Sequence, residues 1–576
     1  MADFTSPYSS LLPSIPDDQT LPQFMFSYKH QTLNRPERSV SVPCTIQDHT
    51  GKKVYWEELR QRVQHLAAGL KSRFNLKDED AVCIFSPNHV DYPVAIWAVH
   101  TLGGVVSPSN PAYTAEEFSH QIDVVKPALI LTHPACLETV SSSLRSSSVP
   151  KTHIALFEPG HASIPFLEQL IEEGKSKVQE LIPKSFGPEE GKSKKAFVCF
   201  SSGTTGKPKA IALSHYNVIA NVLQTLVHWQ CNDPKRPSTI MPVGSVIMGV
   251  LPFFHIYGLV VSVHFALFAG LTLLVVPKFN FVPFLKSIVS HKVTHLLIVP
   301  PQVVLLCKHP AAKDYDLSHL KAILCGAAPL SVELINMLGT MLPNTRIAQG
   351  YGATEATGTI SAVHDSQWTN VPGSSGQLIP GMSARVVKAD GSLAGAGELG
   401  ELLLAGPNIA MGYTNDEKAT RETFIDGWLR TGDEVFLDKY CNVHIVDRLK
   451  ELIKVKGFQV APAELEGHLL DHPDVADACV VGIPDDFSGE VPLAFVVLKD
   501  VPRQKAETFA SEAEQLKRSI SQHVEGAKSR YKWLAGGVRF IQEIPKSPSG
   551  KILRRLLRDS ARASGDSSSA RAKSSL

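Results

Sequence analysis

Short apolar runs of strand length alternate with helix-length stretches along most of this chain: "AVCIFSPN" precedes "DYPVAIWAVHTLGGVVSPSN", and "PALILTH" and "HLLIVPPQVVLLCKH" begin further units. Parallel neighbours need a crossover long enough for a helix, so this alternation restricts the chain to α/β layers built on mostly parallel sheets. "LKAILCGAAPL" leads into a helix from about Ser331, and "RIAQGYGATEA" follows it. After about Val371 the character changes to Gly-rich β segments, "GSSGQLIPGMSARVVKADG", "GELLLAGPNIAMGY" and "VHIVDRLKELIKVKGFQV". The predicted fold is therefore α/β. A large N-terminal domain of layered α/β subdomains spans residues 1–448, with a β-rich subdomain from about residue 371. A small α+β domain follows over 449–560, with a helix around Ala461 to Leu470, strands "DACVVGIPD" and "LAFVVLKD", and a helix around Glu512 to His523. Residues 561–576 read as a flexible, basic, Ser/Ala-rich tail.

Composition narrows the class further. With 576 residues, 43% of them hydrophobic and 20% charged, the chain has ordinary globular usage and can bury a large core. A formal net charge of +1 argues against a general nucleic-acid or anionic-surface binder. The nine Cys lie far apart with no CxxC pair, the usage of a reducing compartment, and they supply no zinc framework. The opening "MADFTSPYSSLLPSIPDD" has Asp3 where a signal peptide is basic, so secretion is not expected. Residues Ile256 to Pro277 contain no Asp, Glu, Lys or Arg and are long enough to cross a bilayer. Gly270 divides them, however, and a buried helix, a Gly stop and the β-rich strand "LTLLVV" account for both halves. No transmembrane span is predicted.

Three familiar patterns fail on context. "GAGELG" at Gly395 to Gly400 has dinucleotide-fingerprint spacing but reads as a turn between two strands, without the helix whose N-terminus would hold a pyrophosphate. "GPEEGKS" at Gly187 to Ser193 is one residue short of a phosphate loop and carries two acids, and reads as a surface linker. His291 and His295 have an i, i+4 spacing with no acidic residue near them in sequence, and read as structural.

The stretch Ser201 to Ala210, "SSGTTGKPKA", leaves the apolar run "AFVCF" with two Gly, four hydroxyls and two Lys. Such a loop can turn backbone N–H groups and hydroxyls toward one anion, with Lys207 and Lys209 adding charge; a solvated strand-to-helix turn has the same composition. Its distant companions separate the two readings. "LPFFHIYG", "CGAAPL", "GYGATEATG", "GWLRTGD", "VDRLKELIKVKGFQVAPAELE" and "PKSPSGKILRR" follow it in order to residue 555. Together these resemble the adenylate-forming superfamily of acyl-CoA synthetases, firefly luciferase and peptide-synthetase adenylation domains, and within it the 4-coumarate:CoA ligase-like enzymes. The resemblance covers the chain from about residue 40.

That resemblance implies an enzyme, an AMP-forming acid:CoA ligase. A carboxylate attacks the α-phosphorus of ATP with Mg²⁺, and the acyl-adenylate then passes to coenzyme A, so the partners are a small carboxylic acid, ATP and CoA. It assigns the phosphates to Ser201, Ser202, Gly203, Thr204, Thr205, Gly206 and Lys207. Adenine falls to Gly326, Ala327, Ala328, Gly350, Tyr351 and Gly352, whose flat or small surfaces suit a purine. Thr354 is implied at the α-phosphate and Glu355 as the Mg²⁺ ligand, a hard oxygen donor. Asp433 would accept both ribose hydroxyls, with Arg448 as a second ribose contact. His255 would gate the reacting carboxylate. Lys551 would serve adenylation and then leave, as the mobile small domain turns about a hinge near Lys450 and brings Lys454, Gly457 and Gln459 to the thiol step. One departure stands at the loop exit, where the family usually has Gly and this chain has Ala210.

The acyl pocket is implied to be lined by His255, Tyr257, Gly258, Ile323, Gly326 and the stretch Gly350 to Thr359, all apolar or small apart from the gate. A hydrophobic or aromatic acid fits, whether hydroxycinnamate-like or a medium-chain fatty acid. A luciferase-like oxygenase or a carrier-protein-loading enzyme would share these motifs. The last residues, Ser574, Ser575 and Leu576, partly match a Ser-Lys-Leu peroxisomal address and would address an import receptor; peroxisome and cytoplasm are both expected locations.

Overall fold

Val- and Ile-rich runs form the interior strands of two large sheets in the computed structural model, which describes residues 3–29, 35–147, 149, 152–201, 208–231, 238, 241–367, 373–456, 458–485, 488–548 and 550–563. The first sheet has seven strands in the order Gly412–Tyr413, Ala210–Ser214, Lys195–Phe200, Val105–Ser109, Ala81–Phe85, Leu129–Thr132 and His153–Leu156. Its last five strands are parallel, as the βα alternation requires. The second has nine strands, in the order Gln377–Leu378, Gly358–Ala362, Arg346–Ala353, Ala322–Cys325, His295–Ile298, Val246–Gly249, Thr272–Val275, Thr45–Gln47 and Lys53–Val54. Six strands in its middle are parallel, and short antiparallel strands close both ends.

The main core lies between these sheets. Val82 and Ile84 of the first sheet and Ile247, Leu273 and Leu324 of the second belong to one buried cluster, together with the helices Tyr92–Thr101 and His215–His228. Those helices are buried almost all round because a sheet covers each side. Alternate residues of the second sheet face the other way: Leu296, Ile323 and Cys325 pack with Leu334 and Leu338 of the helix Val332–Met341.

Residues 256–277 resolve as helix, stop and strand. A π-helical stretch Tyr257–Phe265 runs into Ala266–Phe268, Gly270 takes a positive φ of 80°, and Thr272–Val275 enters the second sheet. Among the described residues, no helix is long and apolar enough to cross a membrane.

The Gly-rich segments form a six-stranded antiparallel sheet over Ser383–Val387, Gly400–Ala405, Phe424–Ile425, Trp428–Leu437 and Val443–Arg448. Its sixth strand, Phe4–Thr5, comes from the N-terminal segment, where Asp3 also accepts two hydrogen bonds from Arg385 at 2.7 and 3.0 Å. A five-stranded sheet of Ile453–Val455, Phe458–Val460, Val475–Asp485, Gly489–Leu498 and Gly537–Phe540 packs against Pro462–Leu469 and Ala510–Ala527.

Three local segments gain detail. The strands on either side of "SSGTTGKPK", Lys195–Phe200 and Ala210–Ser214, are antiparallel neighbours, so the chain here passes from strand to strand and not from strand to helix. "GPEEGKS" lies mostly at the surface, with Glu190–Ser193 as one helical turn and Gly191 alone buried, so close to Asp17 that a Cβ would sit 2.6 Å from its carbonyl oxygen. His291 does have an acid beside it, Asp48 at 3.6 Å, contributed from far away in sequence.

Candidate active site

Parallel strands leave their carboxyl ends open to a ligand, because the connecting loops all emerge there. "LPFFHIYG" follows Val246–Gly249, "VPPQ" follows His295–Ile298 and "CGAAPL" follows Ala322–Cys325; Arg346–Ala353 carries "GYGA" into "TEA". Gly550 brings the small domain to the same edge: its missing side chain lets the Lys551 loop close on Val299, whose Cγ2 would lie 2.8 Å from a Cβ there.

Thr354 and Glu355 sit at the tip of the antiparallel pair Arg346–Ala353 and Gly358–Ala362. The reversal is tight because Thr357 and Gly358 take positive φ of 55° and 117°, and because Gly352 has no Cβ to meet the Gly358 carbonyl oxygen, which would lie 2.1 Å away. Buried amides satisfy the exposed backbone of this turn: Asn221 donates to Thr359 O at 2.8 Å and accepts from its N–H at 3.2 Å, and Asn408 donates to Ala356 O at 2.8 Å. Tyr413 Oη donates to Glu355 Oε1 at 3.1 Å, and among the described residues it is the carboxylate's hydrogen-bond partner. A half-buried carboxylate held at one oxygen fits a hard divalent cation whose remaining ligands come from phosphate oxygens and water.

The next strand pair builds a second polar group. Asp433 on Trp428–Leu437 lies opposite Arg448 on Val443–Arg448, with Nε 3.3 Å from Oδ1, while Tyr351 Oη donates to Oδ2. Burial raises the Asp433 pKa, and Arg448, Tyr351 and Lys551 pull it back down. For Arg448 burial opposes the charge, but Asp433 and Glu451 outweigh it and hold the guanidinium above its ordinary value. Both Asp433 oxygens are thus engaged, so a ribose would have to take over the place of the Tyr351 hydroxyl.

Lys551 reaches this cluster from a loop in which Ser547 N donates to Lys551 O at 2.7 Å and Lys551 N donates to Ser547 Oγ at 3.2 Å. Burial and then the Arg448 charge lower its pKa to about 8, against the pull of Glu451 and Asp433. His255 is lowered to about 4 by burial and by Lys551, and is neutral at pH 7. Its Nδ1 accepts from Tyr257 N at 3.3 Å, which leaves the ring proton on Nε2 as a donor. Ala327 holds a positive φ of 69°, a strain of about 1 kcal/mol for a residue with a Cβ.

The structure brings together Tyr351, Thr354, Glu355, Asp433, Arg448, His255 and Lys551, with Gly326, Ala327 and Ala328 in the adjoining loop and Gly350 and Gly352 on the strand Arg346–Ala353. It moves one residue, Ile323, out of the acyl pocket and shows a packing reason for another to be glycine. Ile323 is fully buried on the opposite face of its strand, against the helix Val332–Met341. Gly258 serves packing, because a Cβ there would sit 2.1 Å from Pro252 O. Tyr257 spends its hydroxyl on Leu324 O at 3.1 Å and sets its ring edge against Gly326, where a Cβ would lie 3.1 Å from Cε1. Ser202, Gly203, Thr204, Thr205, Gly206, Lys207 and Gly457 lie outside the described residues, as do Ser574, Ser575 and Leu576. Ser201 N donates to Lys209 O at 3.0 Å and closes the loop's neck, and Ala210 opens the following strand without a positive φ, so its methyl is unstrained.

A model of the AMP-binding enzyme family matches residues 29–414, and a model of the AMP-binding enzyme C-terminal domain matches residues 464–551. The chain belongs to the AMP-binding enzyme family. It is 34% identical over 568 residues to a probable 4-coumarate-CoA ligase 1 of Dictyostelium discoideum, covering 96% of this chain and 97% of that one. With 4-coumarate-CoA ligase-like 9 of Arabidopsis thaliana it shares 36% identity over 564 residues, 96% and 94% of the two chains. Among solved structures, ATP-bound MatB from Rhodopseudomonas palustris superposes with a TM-score of 0.78 at 25% identity, over 94% of this chain and 98% of that one. The anthranilate CoA ligase AuaEII in complex with anthranoyl-AMP superposes at 0.81 with 22% identity, over 96% and 99%, a likeness of fold.

In this AMP-binding enzyme Lys454 and Gln459, expected at the thiol step, and Lys450, expected at the hinge, are among the described residues. Lys454 is exposed on Ile453–Val455, Lys450 is exposed in the preceding turn, and the Gln459 amide lies 3.0 Å from both oxygens of Glu434. Tyr413, Asn221 and Asn408 were not legible as site residues; their partners are far off in sequence, and "GY" or a single Asn carries no chemistry of its own.

Proposed function

We propose that this AMP-binding enzyme is an ATP-dependent acid:CoA ligase that joins a hydrophobic or aromatic carboxylic acid to CoA through an acyl-adenylate, releasing AMP and pyrophosphate. The observation that carries the reading is the convergence of Lys551 with His255, Asp433 and Arg448 at the open ends of the parallel strands.

The chemistry asks the protein for position and charge, and no covalent intermediate is needed. Tyr351, Asp433 and Arg448 hold the adenosine, with Gly326, Ala327, Ala328, Gly350 and Gly352 leaving room for the purine. Thr354 donates to the α-phosphate. Glu355 would hold Mg²⁺, which supplies positive charge to the phosphates when bound. Lys551 places its ammonium where negative charge develops as the carboxylate attacks phosphorus and pyrophosphate departs. His255, neutral with its Nε2 proton outward, offers a donor to the acid. The small domain then turns about Lys450, withdrawing Lys551 and presenting Lys454, Gly457 and Gln459 to the thiol, whose sulfur forms the thioester as AMP leaves.

Tyr257 shows the acid a ring whose hydroxyl is already spent, which suits an apolar or aromatic body. Relatives named as 4-coumarate-CoA ligases favour the aromatic choice. Carboxylate-dependent ATP–pyrophosphate exchange and CoA thioester formation, measured on a hydroxycinnamate, a phenylacetate and a medium-chain fatty acid, test the reading. Exchange and thioester with the same acid are expected; exchange without thioester for every acid would point to another acceptor.

A further inference from the structure

The hydroxyl of Tyr413 and the face of its ring hold two different charged groups of the site at once. Oη donates to Glu355 Oε1 at 3.1 Å, and Lys209 Nζ stands 4.6 Å from the ring centroid. Glu355 belongs to the tip of the Arg346–Ala353 hairpin in the second sheet, and Lys209 to the exit of the hairpin that extends the first. Tyr413 belongs to neither. It sits on Gly412–Tyr413, the edge strand of the first sheet, in register with Ile211.

That strand is fixed independently of the groups it holds. Met411 N donates to Ala212 O at 3.0 Å, Thr414 N to Ala210 O at 2.7 Å and Tyr413 N to Thr420 Oγ1 at 3.0 Å. Phe424 packs edge-on against the ring at 5.8 Å. Ala410 N also donates to Glu355 O at 2.9 Å, so the same segment grips the backbone of Glu355 as well as its carboxylate.

We infer that Tyr413 is a positioning residue of the nucleotide site: its hydroxyl aims the Glu355 carboxylate at a divalent cation, and its ring holds Lys209 at the same post. A glutamate side chain on a short turn has three free torsions, and a neutral donor at one oxygen leaves the other directed at the metal without cancelling its charge. A cation on the ring face keeps its N–H groups free for phosphate, which a carboxylate partner would have occupied. This deepens the ligase reading and rests on it.

Tyr413→Phe and Tyr413→Leu separate the two contacts. Tyr413→Phe keeps the ring and should raise the Mg²⁺ concentration for half-maximal pyrophosphate exchange about tenfold, the scale of one hydrogen bond to a charged group. Its affinity for ATP without metal and its thioester formation from supplied acyl-adenylate should match the parent. Tyr413→Leu should in addition weaken metal-free ATP binding several-fold. Mn²⁺ binding to the enzyme–ATP complex, read by electron paramagnetic resonance, should weaken in Tyr413→Phe by the same factor as the Mg²⁺ requirement. Parent-like Mn²⁺ binding in Tyr413→Phe, or equal losses in both half-reactions, would overturn the inference. If the parent shows no exchange, the ligase reading fails, and Mn²⁺ binding still decides the role of Tyr413.

Discussion

Lys551, to which the proposed mechanism gives charge at the phosphates, stands away from water and beside Arg448, and the two effects lower its pKa to about 8. Its protonated fraction therefore falls as pH rises through 8. His255, at about 4, is neutral across the whole alkaline range and contributes nothing there. The expected outcome is an exchange kcat/KM for ATP that declines through about pH 8, and a Lys551→Arg variant that is slower but keeps its activity flat to higher pH, since a guanidinium stays charged. An unchanged alkaline limb in Lys551→Arg would assign the titration to another group. Lys551, Asp433 and Arg448 were legible in the sequence because each motif carries its chemistry within a few residues. Ile323 was misplaced for a different reason. A strand's sequence shows that side chains alternate between faces, but not which face meets the ligand, and at Ile323 that face packs on a helix. Tyr413 escaped notice because Glu355 and Lys209 reach it only through the pairing of distant strands.

At the scale of elements, the turn that presents Thr354 and Glu355 depends on what Gly352 lacks. A Cβ there would sit 2.1 Å from Gly358 O and 2.9 Å from its carbonyl carbon, and both are backbone atoms that no rotamer change can clear. Gly352→Ala should spread the hairpin, cost about 1–3 kcal/mol by overpacking, and weaken ATP binding at least tenfold. Gly339 supplies the contrast. It lies within the helix Val332–Met341 with nothing within 4 Å of a Cβ, so Gly339→Ala should stabilise the protein by about 0.5–1 kcal/mol and leave ATP binding alone. Denaturant unfolding and ATP titration of both variants check the pair; parent-like affinity in Gly352→Ala would show that the turn tolerates displacement. The strands and helices that frame this turn could be read from apolar periodicity. The turn's rigidity could not, because it rests on Asn221 and Asn408 meeting backbone groups of Thr359 and Ala356 from elsewhere in the chain.

For the whole molecule, the proposed two-step mechanism has the small domain hold Lys551 in the site and later leave. Among the described residues, the contacts that cross between the two bodies include polar ones, Lys308 Nζ to Leu470 O at 2.7 Å, Ala463 N to Asp447 Oδ2 at 3.2 Å and the Gln459 amide on Glu434, and small apolar ones, Leu470 against the large body's core and Gly550 against Val299. Arg554, by contrast, binds Glu451 at 2.7 Å and Glu466 at 2.6 Å, all three beyond Lys450, so this buried group can turn as one piece with the small domain. Like charge on Arg448 and Lys551 also works against docking. Such an interface can release, and it can be locked. A Cβ at Gly467 would lie 3.2 Å from Ser331 Cβ, within a few tenths of an ångström of disulfide range, with Ser331 on the large body and Gly467 on the small. Ser331→Cys with Gly467→Cys, oxidised, should keep carboxylate-dependent pyrophosphate exchange and lose CoA thioester formation from supplied acyl-adenylate by at least tenfold. Reduction should restore it. The single variants, one of which gives up the Ser331 cap on Leu334 N at about 1 kcal/mol, should show neither effect. Thioester formation at the parent rate in the oxidised double variant would mean that both half-reactions proceed in the docked arrangement, and that Lys454 and Gln459 serve no step in the site.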